Sequence, residues 1–155
     1  MPVDNSMIVF DKVTKIYGKT QKALDEVSLQ IDKGEFVFLS GNSGAGKTTL
    51  LELVLRDARP DRGDIWVNGM DLGSLRERQV YQYRRYIGMV FQDFRLFQDF
   101  TVYENVAFAQ RVIEAEKKKM RSRVREVLRQ VGLEDKAGCY PGQLSGGEQQ
   151  RTALA

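Results

Sequence analysis

The 155-residue chain has no histidine, one cysteine and no apolar run near the roughly 18 residues that a membrane-spanning helix needs. The lone Cys139 can form neither an internal disulfide nor a metal cluster, which leaves it a packing or surface role. The N-terminus lacks the apolar core of a secretion signal, so the sequence predicts a cytosolic protein. Neither sign of charge dominates: 24 Lys and Arg against 21 Asp and Glu leave +3, too mild to argue for nucleic acid by itself. Internal repeats and low-complexity segments are also missing. What is present, 42% hydrophobic and 29% charged residues, is the composition of one globular domain with a real core.

The densest charge run spans residues 114–129, yet Met120, Val124, Val127, Leu128 and Val131 recur through it at helical spacing. That pattern predicts an amphipathic helix with a solvated basic face, in preference to a lipid or nucleic-acid surface. Earlier in the chain, residues 7–10 and 27–31 read as antiparallel strands. Residues 64–67 read as another strand, and Asn68-Gly69 as a tight hairpin into residues 70–72. Residues 76–85 are predicted helical. From Val102 onward the pattern is helical, broken at Gly132 and at Pro141-Gly142.

The glycine-rich string GNSGAGKT occupies residues 41–48. Glycines let such a loop turn tightly, so that its N–H groups point inward at phosphate oxygens. Gly41, Asn42, Ser43, Gly44, Ala45 and Gly46 supply this cradle. Lys47 can reach the β- and γ-phosphates of a nucleoside triphosphate, and the Thr48 hydroxyl can ligate Mg²⁺. The unbroken apolar residues 36–39 before the loop read as a buried strand, and Thr48, Thr49 and the residues after them as a helix. Strand, loop and helix would set a helix N-terminus against the triphosphate. Residues 87–91 read as a second buried strand, ended by Gln92.

A second string, LSGGEQQR at residues 144–151, resembles the signature motif of ABC-type ATPases, the engines of ATP-binding-cassette transporters. Ser145 is a favoured N-cap, Gly146 and Gly147 leave backbone N–H groups uncovered, and Glu148 lies in the first turn. The two strings in this order, with an antiparallel β part, an α/β part and a helical part, extend the resemblance over the whole chain. It implies an α/β fold: a P-loop NTPase core of RecA-like type, with an antiparallel β subdomain and an α-helical subdomain. One partial domain over residues 1–155 is expected, with the β and nucleotide-binding core to about residue 91 and the helical part from about 92.

The family resemblance also assigns roles. Tyr17, 24 residues before Gly41, stands where these ATPases carry an aromatic that stacks on adenine; a tyrosine packed at a strand end is the plainer alternative. Gln92, 45 residues after Lys47, resembles the family's Q-loop glutamine, whose amide oxygen can bind Mg²⁺ and orient the attacking water. Ser145, Gly146, Gly147 and Glu148 would face the ATP of a partner subunit in a homodimer formed on ATP binding.

Residues 90–97 with 101–109, and 34–39, resemble the bacterial cell-division ATPases of FtsEX-type complexes. That implies an FtsX-like integral membrane partner, no nucleic acid, and a location on the inner face of the plasma membrane. Lipoprotein-release and macrolide-export ATPases are the related alternatives.

The family continues past the signature with a strand ending in Asp-Glu, and then a switch histidine. Here the sequence ends at Ala155 and has no histidine. A partial domain is therefore expected, with no complete catalytic set of its own; a non-hydrolysing nucleotide-binding module is the third reading. Without that strand, the phosphate-loop strand is expected to expose apolar surface and unpaired edge groups.

Overall fold

The computed structural model describes residues 5–18, 20–112 and 117–155, and the chain divides into two compact units, Met1–Tyr86 and Ile87–Ala155. In the first, β1 (Ser6–Tyr17) and β2 (Gln21–Asp32) form a long antiparallel hairpin. β3 (Arg62–Val67) pairs with the other side of β1 and β4 (Met70–Asp71) with β3, giving the order β2-β1-β3-β4.

Both strands of the hairpin run further than the sequence alone predicts, because bulges let the apolar pattern change phase. Phe10 and Val13 are both fully buried although they stand three apart, not two. A register shift between them absorbs the extra residue, with Lys12 in left-handed backbone (φ 48°) and its N–H given to Ser28 Oγ at 2.9 Å. Gly63 on β3 accommodates this bulge: a Cβ there would lie 2.4 Å from the carbonyl oxygens of Asp11 and Lys12. Asn68 (φ 49°) and Gly69 (φ 74°) make the tight turn between β3 and β4 that this dipeptide predicts.

Phe10, Val13, Leu24, Ile65 and Val67 from the sheet are buried, as are Leu53 of α1 (Lys47–Val54) and Val80 of α2 (Glu77–Arg84). Each such side chain contributes about 1.5–3 kcal/mol on leaving water. Polar groups tie α1 to α2. The Tyr83 hydroxyl donates to the Val54 carbonyl, and Arg84 Nε donates to Leu55 O at 2.8 Å. These are carbonyls that the end of α1 cannot satisfy itself. Burial pushes the Tyr83 phenol up to about 12.

In the second unit, α3 (Val102–Val112), α4 (Lys117–Gln130) and α5 (Gly146–Leu154) gather Val102, Val106, Ala107, Val124, Leu128, Leu133 and Leu144 into one core. The amphipathic helix expected in the charged run is α4, with Val124 and Leu128 inward; Glu114 lies outside the described residues. Gly132 (φ 68°) ends it, with Leu133 N–H returning to Leu128 O at 2.8 Å.

Two expectations fail. Residues 36–39 and 87–91 form no strand, and their side chains are not buried: Phe36 and Phe38 are each 84% exposed. An apolar run becomes a strand only when a neighbouring chain segment takes its N–H and C=O groups. The ladders among the described residues are all antiparallel and none includes either segment.

Candidate functional site

The phosphate loop is shaped by three left-handed or nearly extended glycines, Gly41 (φ 154°), Gly44 (φ 82°) and Gly46 (φ 84°), and by a turn closed by Ala45 N–H on Asn42 O at 3.1 Å. Gly46 is fixed twice over. Besides its positive φ, a Cβ there would fall 2.4 Å from Ala23 O and 2.8 Å from Leu24 Cδ2, both on β2. The loop is thus pressed against the hairpin at a point that admits only hydrogen. Lys47 Nζ donates to Gly41 O at 2.6 Å and Asn42 O at 2.8 Å, spanning its own loop. Of its three donors, one remains for an incoming oxygen.

Gly46 caps α1 without a side chain, and the first turn of α1 holds no acidic residue. The N–H groups and partial positive charge of this helix start therefore have no carboxylate of their own, which suits an anion. α5 is built the opposite way. Its N-cap Ser145 Oγ accepts from Glu148 N–H at 3.4 Å, while the Glu148 carboxylate accepts from Ser145 N–H and Oγ–H, both at 2.8 Å. The backbone N–H of Ser145, first, and its hydroxyl hold the Glu148 carboxyl below its usual pKa. Gly146 and Gly147 are exposed, and a Cβ on either would meet nothing nearer than Arg151 Nη1 at 3.7 Å. Their lack of side chains answers no need of the local packing.

A pocket of about 590 Å³ lies between the hairpin end and the phosphate loop, lined by Tyr17, residues 21–23 and residues 43–49. Its size is that of a small-molecule site. Tyr17 and the phosphate loop, distant in sequence, thus share one cavity. The Tyr17 hydroxyl donates to Glu52 Oε2 at 2.7 Å, and Lys15 Nζ stands 5.5 Å over its ring. The bond to Glu52, and then burial, raise the phenol's pKa. Gln21, Lys22, Ala23 and Glu52 are absent from the sequence-based site. Gln21 faces Tyr17 across the hairpin, a pairing visible only once the register is known. Glu52 lies one helical turn after Thr48 and Thr49, on the same side of α1, and that spacing was a readable signal.

Gln92 lies in the other unit, exposed in a turn. Phe94 (φ 58°) and Arg95 (φ 49°) after it are both left-handed, and Arg95 Cζ sits 3.8 Å over the Phe91 ring. Asn105 steadies the next stretch: it accepts from Phe97 N–H at 2.9 Å and donates to the carbonyls of Phe97, Phe100 and Thr101 at 3.0–3.1 Å. Ser145, Gly146, Gly147 and Glu148 are in this second unit too.

The ABC transporter family model matches residues 24–155, which include both glycine strings. The chain belongs to that family. This ABC chain is 51% identical to the cell division ATP-binding protein FtsE of Mycobacterium tuberculosis and 46% identical to that of Bacillus subtilis. Each comparison covers 96% of this chain and 65% of the relative. It is also 43% identical to the methionine import ATP-binding protein MetN 1 of Bacillus thuringiensis, over 96% of this chain and 45% of that protein. Among solved structures it superposes on an ATP-binding cassette dimer in a post-hydrolysis state bound to ADP and Pi (TM-score 0.85, 34% identity, 96% of this chain and 67% of that one). A second likeness is cbiO1 of Clostridium perfringens, part of an ABC transporter complex (TM-score 0.87, 25% identity, 97% and 60%).

The ABC chain thus has the P-loop NTPase fold with an antiparallel β subdomain and an α-helical subdomain, and it spans about two thirds of the length of the FtsE relatives and under half that of the methionine importer subunit. Among the described residues, no helix is long and apolar enough to cross a membrane.

Proposed function

We propose that the chain is the ATP-binding part of the ATPase subunit of an FtsEX-type ABC complex, in which ATP-driven dimerisation is coupled to an FtsX-like integral membrane protein. The observation that carries this reading is the pocket joining Tyr17 to Lys47, Thr48 and Thr49. ATP is the substrate. Tyr17 offers its ring to the adenine, and the N–H groups of residues 43–49 together with the free donor of Lys47 take the phosphates.

Mg²⁺ fits as a companion of the triphosphate, because the Thr48 hydroxyl lies in the first turn of the helix that follows the phosphate loop and Mg²⁺ is usually held by one or two protein ligands plus substrate phosphates. Thr48 would enter its shell, as one hydroxyl suffices when phosphates and water supply the other ligands. Ser145, Gly146, Gly147 and Glu148 serve the ATP of the second subunit, and the bare surface at both glycines supports that role. Hydrolysis by the intact protein would use carboxylates from the part of the relatives' length that this chain does not span. The subunit would sit in the cytoplasm, peripheral to the plasma membrane through its partner.

The identities of 51% and 46% to FtsE, against 43% to a methionine importer subunit, favour the cell-division reading. Lipoprotein-release and macrolide-export subunits are the same chemistry with other partners. The test is co-purification of the intact protein with an FtsX-like membrane protein and, separately, with an importer membrane subunit. Arg95→Glu with Phe97→Ala is the companion variant, because these side chains follow Gln92 and are both exposed. Capture by the FtsX-like protein, reduced in the variant, is expected. Capture by the importer subunit alone would replace the cell-division reading. Phosphate release by the 155-residue chain itself would show that it needs no further carboxylates.

A further inference from the structure

Tyr17 carries two contacts that stacking alone does not need. Its hydroxyl is bound to Glu52 of α1 at 2.7 Å, and Lys15 Nζ lies 5.5 Å over its ring. Lys15 is itself held, pairing with Asp61 at 3.3 Å, and Asp61 accepts the Ile16 N–H at 2.7 Å. A phenol on a strand end normally swings about two side-chain torsions. Here one edge is tied to the helix that starts at the phosphate loop, and one face is taken by an ammonium.

We propose that Glu52 is a positioning residue for the nucleotide base: it holds the Tyr17 ring upright so that the face away from Lys15 forms the base wall of the pocket. The proposal rests on the ATP-site reading above and extends it to a residue outside the glycine string. It also sets specificity. With its hydroxyl committed to Glu52, Tyr17 cannot read a base edge, and an aromatic face accepts any purine. Guanine and adenine triphosphates are then bound within a few-fold of each other.

The experiment is a competition titration of the intact protein with ATP, GTP and inorganic tripolyphosphate, which has phosphates and no base. Tyr17→Ala should weaken ATP about tenfold or more, as for loss of a stacked base. Tyr17→Phe and Glu52→Ala should each weaken ATP by about three- to fivefold, the scale of one hydrogen bond. Their double variant should be no worse than Tyr17→Phe alone, since that change already removes the contact with Glu52. Glu52→Gln, which keeps an acceptor, should recover most of the loss, and tripolyphosphate should bind all variants equally.

Weaker tripolyphosphate binding by Glu52→Ala would place its effect on the phosphate loop and overturn the proposal. So would normal ATP affinity in both Tyr17→Phe and Glu52→Ala, while leaving the stacking role intact. If Tyr17→Ala itself binds ATP normally, the stacking reading fails first, and the proposal with it. A GTP affinity more than tenfold below that of ATP would refute the specificity claim.

Discussion

Two basic side chains, Lys47 and Arg56, show how position decides what a cation does. Lys47 bridges two loop carbonyls with two of its three donors, and the third is the one proposed to meet a phosphate. Lys47→Ala is expected to weaken a fluorescent ATP analogue about 10- to 100-fold, the value of one charge-assisted bond at an anion. Unchanged affinity would remove this residue from the site. Arg56 is 7% exposed, and its φ of 61° is uncommon for any side-chain-bearing residue. Nε donates to Leu72 O at 2.9 Å and the guanidinium leans toward Leu75 O at 3.5 Å. Burial, chiefly, lowers its pKa. Arg56→Ala should cost about 2–3 kcal/mol in urea unfolding, from a stranded carbonyl and an unrelieved backbone. Arg56→Gly should cost less, because glycine relieves the left-handed turn.

At the level of elements, helix starts are set by charge as well as shape. Glu104 accepts the Thr101 N–H and hydroxyl at 2.8 Å, and Glu148 does the same for Ser145. Backbone donation, first, holds both carboxyls below the usual range. A depressed carboxyl adds stability that is fully present above the unfolded value, about 4.3, and is lost as pH falls through the folded value. Acidification from neutral to below that range should therefore lower the amide protection factors, measured against the intrinsic exchange rate at each pH, in the first turns of α3 and α5. The start of α2 is the internal control. There Arg76 N–H is accepted by the Gln79 amide at 3.0 Å, which cannot titrate. Equal loss of protection at all three starts would rule out the carboxylates as the cause.

Such caps explain which elements were legible. The strings TVYE and SGGE place a hydroxyl and a carboxylate three apart, a local signal needing no partner, and both helices begin where it says. The Asn-Gly turn is local in the same sense. Residues 36–39 and 87–91 carry equally strong apolar patterns, but a strand is a property of two segments, and neither finds its second among the described residues. The site divides likewise. The phosphate loop is legible because its glycines are consecutive chemistry, whereas Gln21 and Glu52 belong to it only through hairpin register and helix facing.

For the molecule as a whole, the rings of Phe36 and Phe38, in edge-to-face contact at 4.9 Å, stand in solvent with Val37 and Leu39 about half exposed. Monomeric proteins rarely leave such a patch bare. A preparation of these 155 residues is expected to enhance ANS fluorescence and to self-associate with rising concentration. Phe36→Ser with Phe38→Ser should lower both signals while keeping ATP binding, as neither ring lines the pocket. Absent dye enhancement would mean that the patch is covered in solution.

The missing Cβ of Gly46 has a consequence for what the pocket can measure. With no room for so much as a methyl group between loop and hairpin, the proposed phosphate surface and the proposed base surface are built against one another. The pair works as a fixed gauge. On the proposed reading, a nucleotide is matched by the span between its ring and its charged tail as well as by each separate contact.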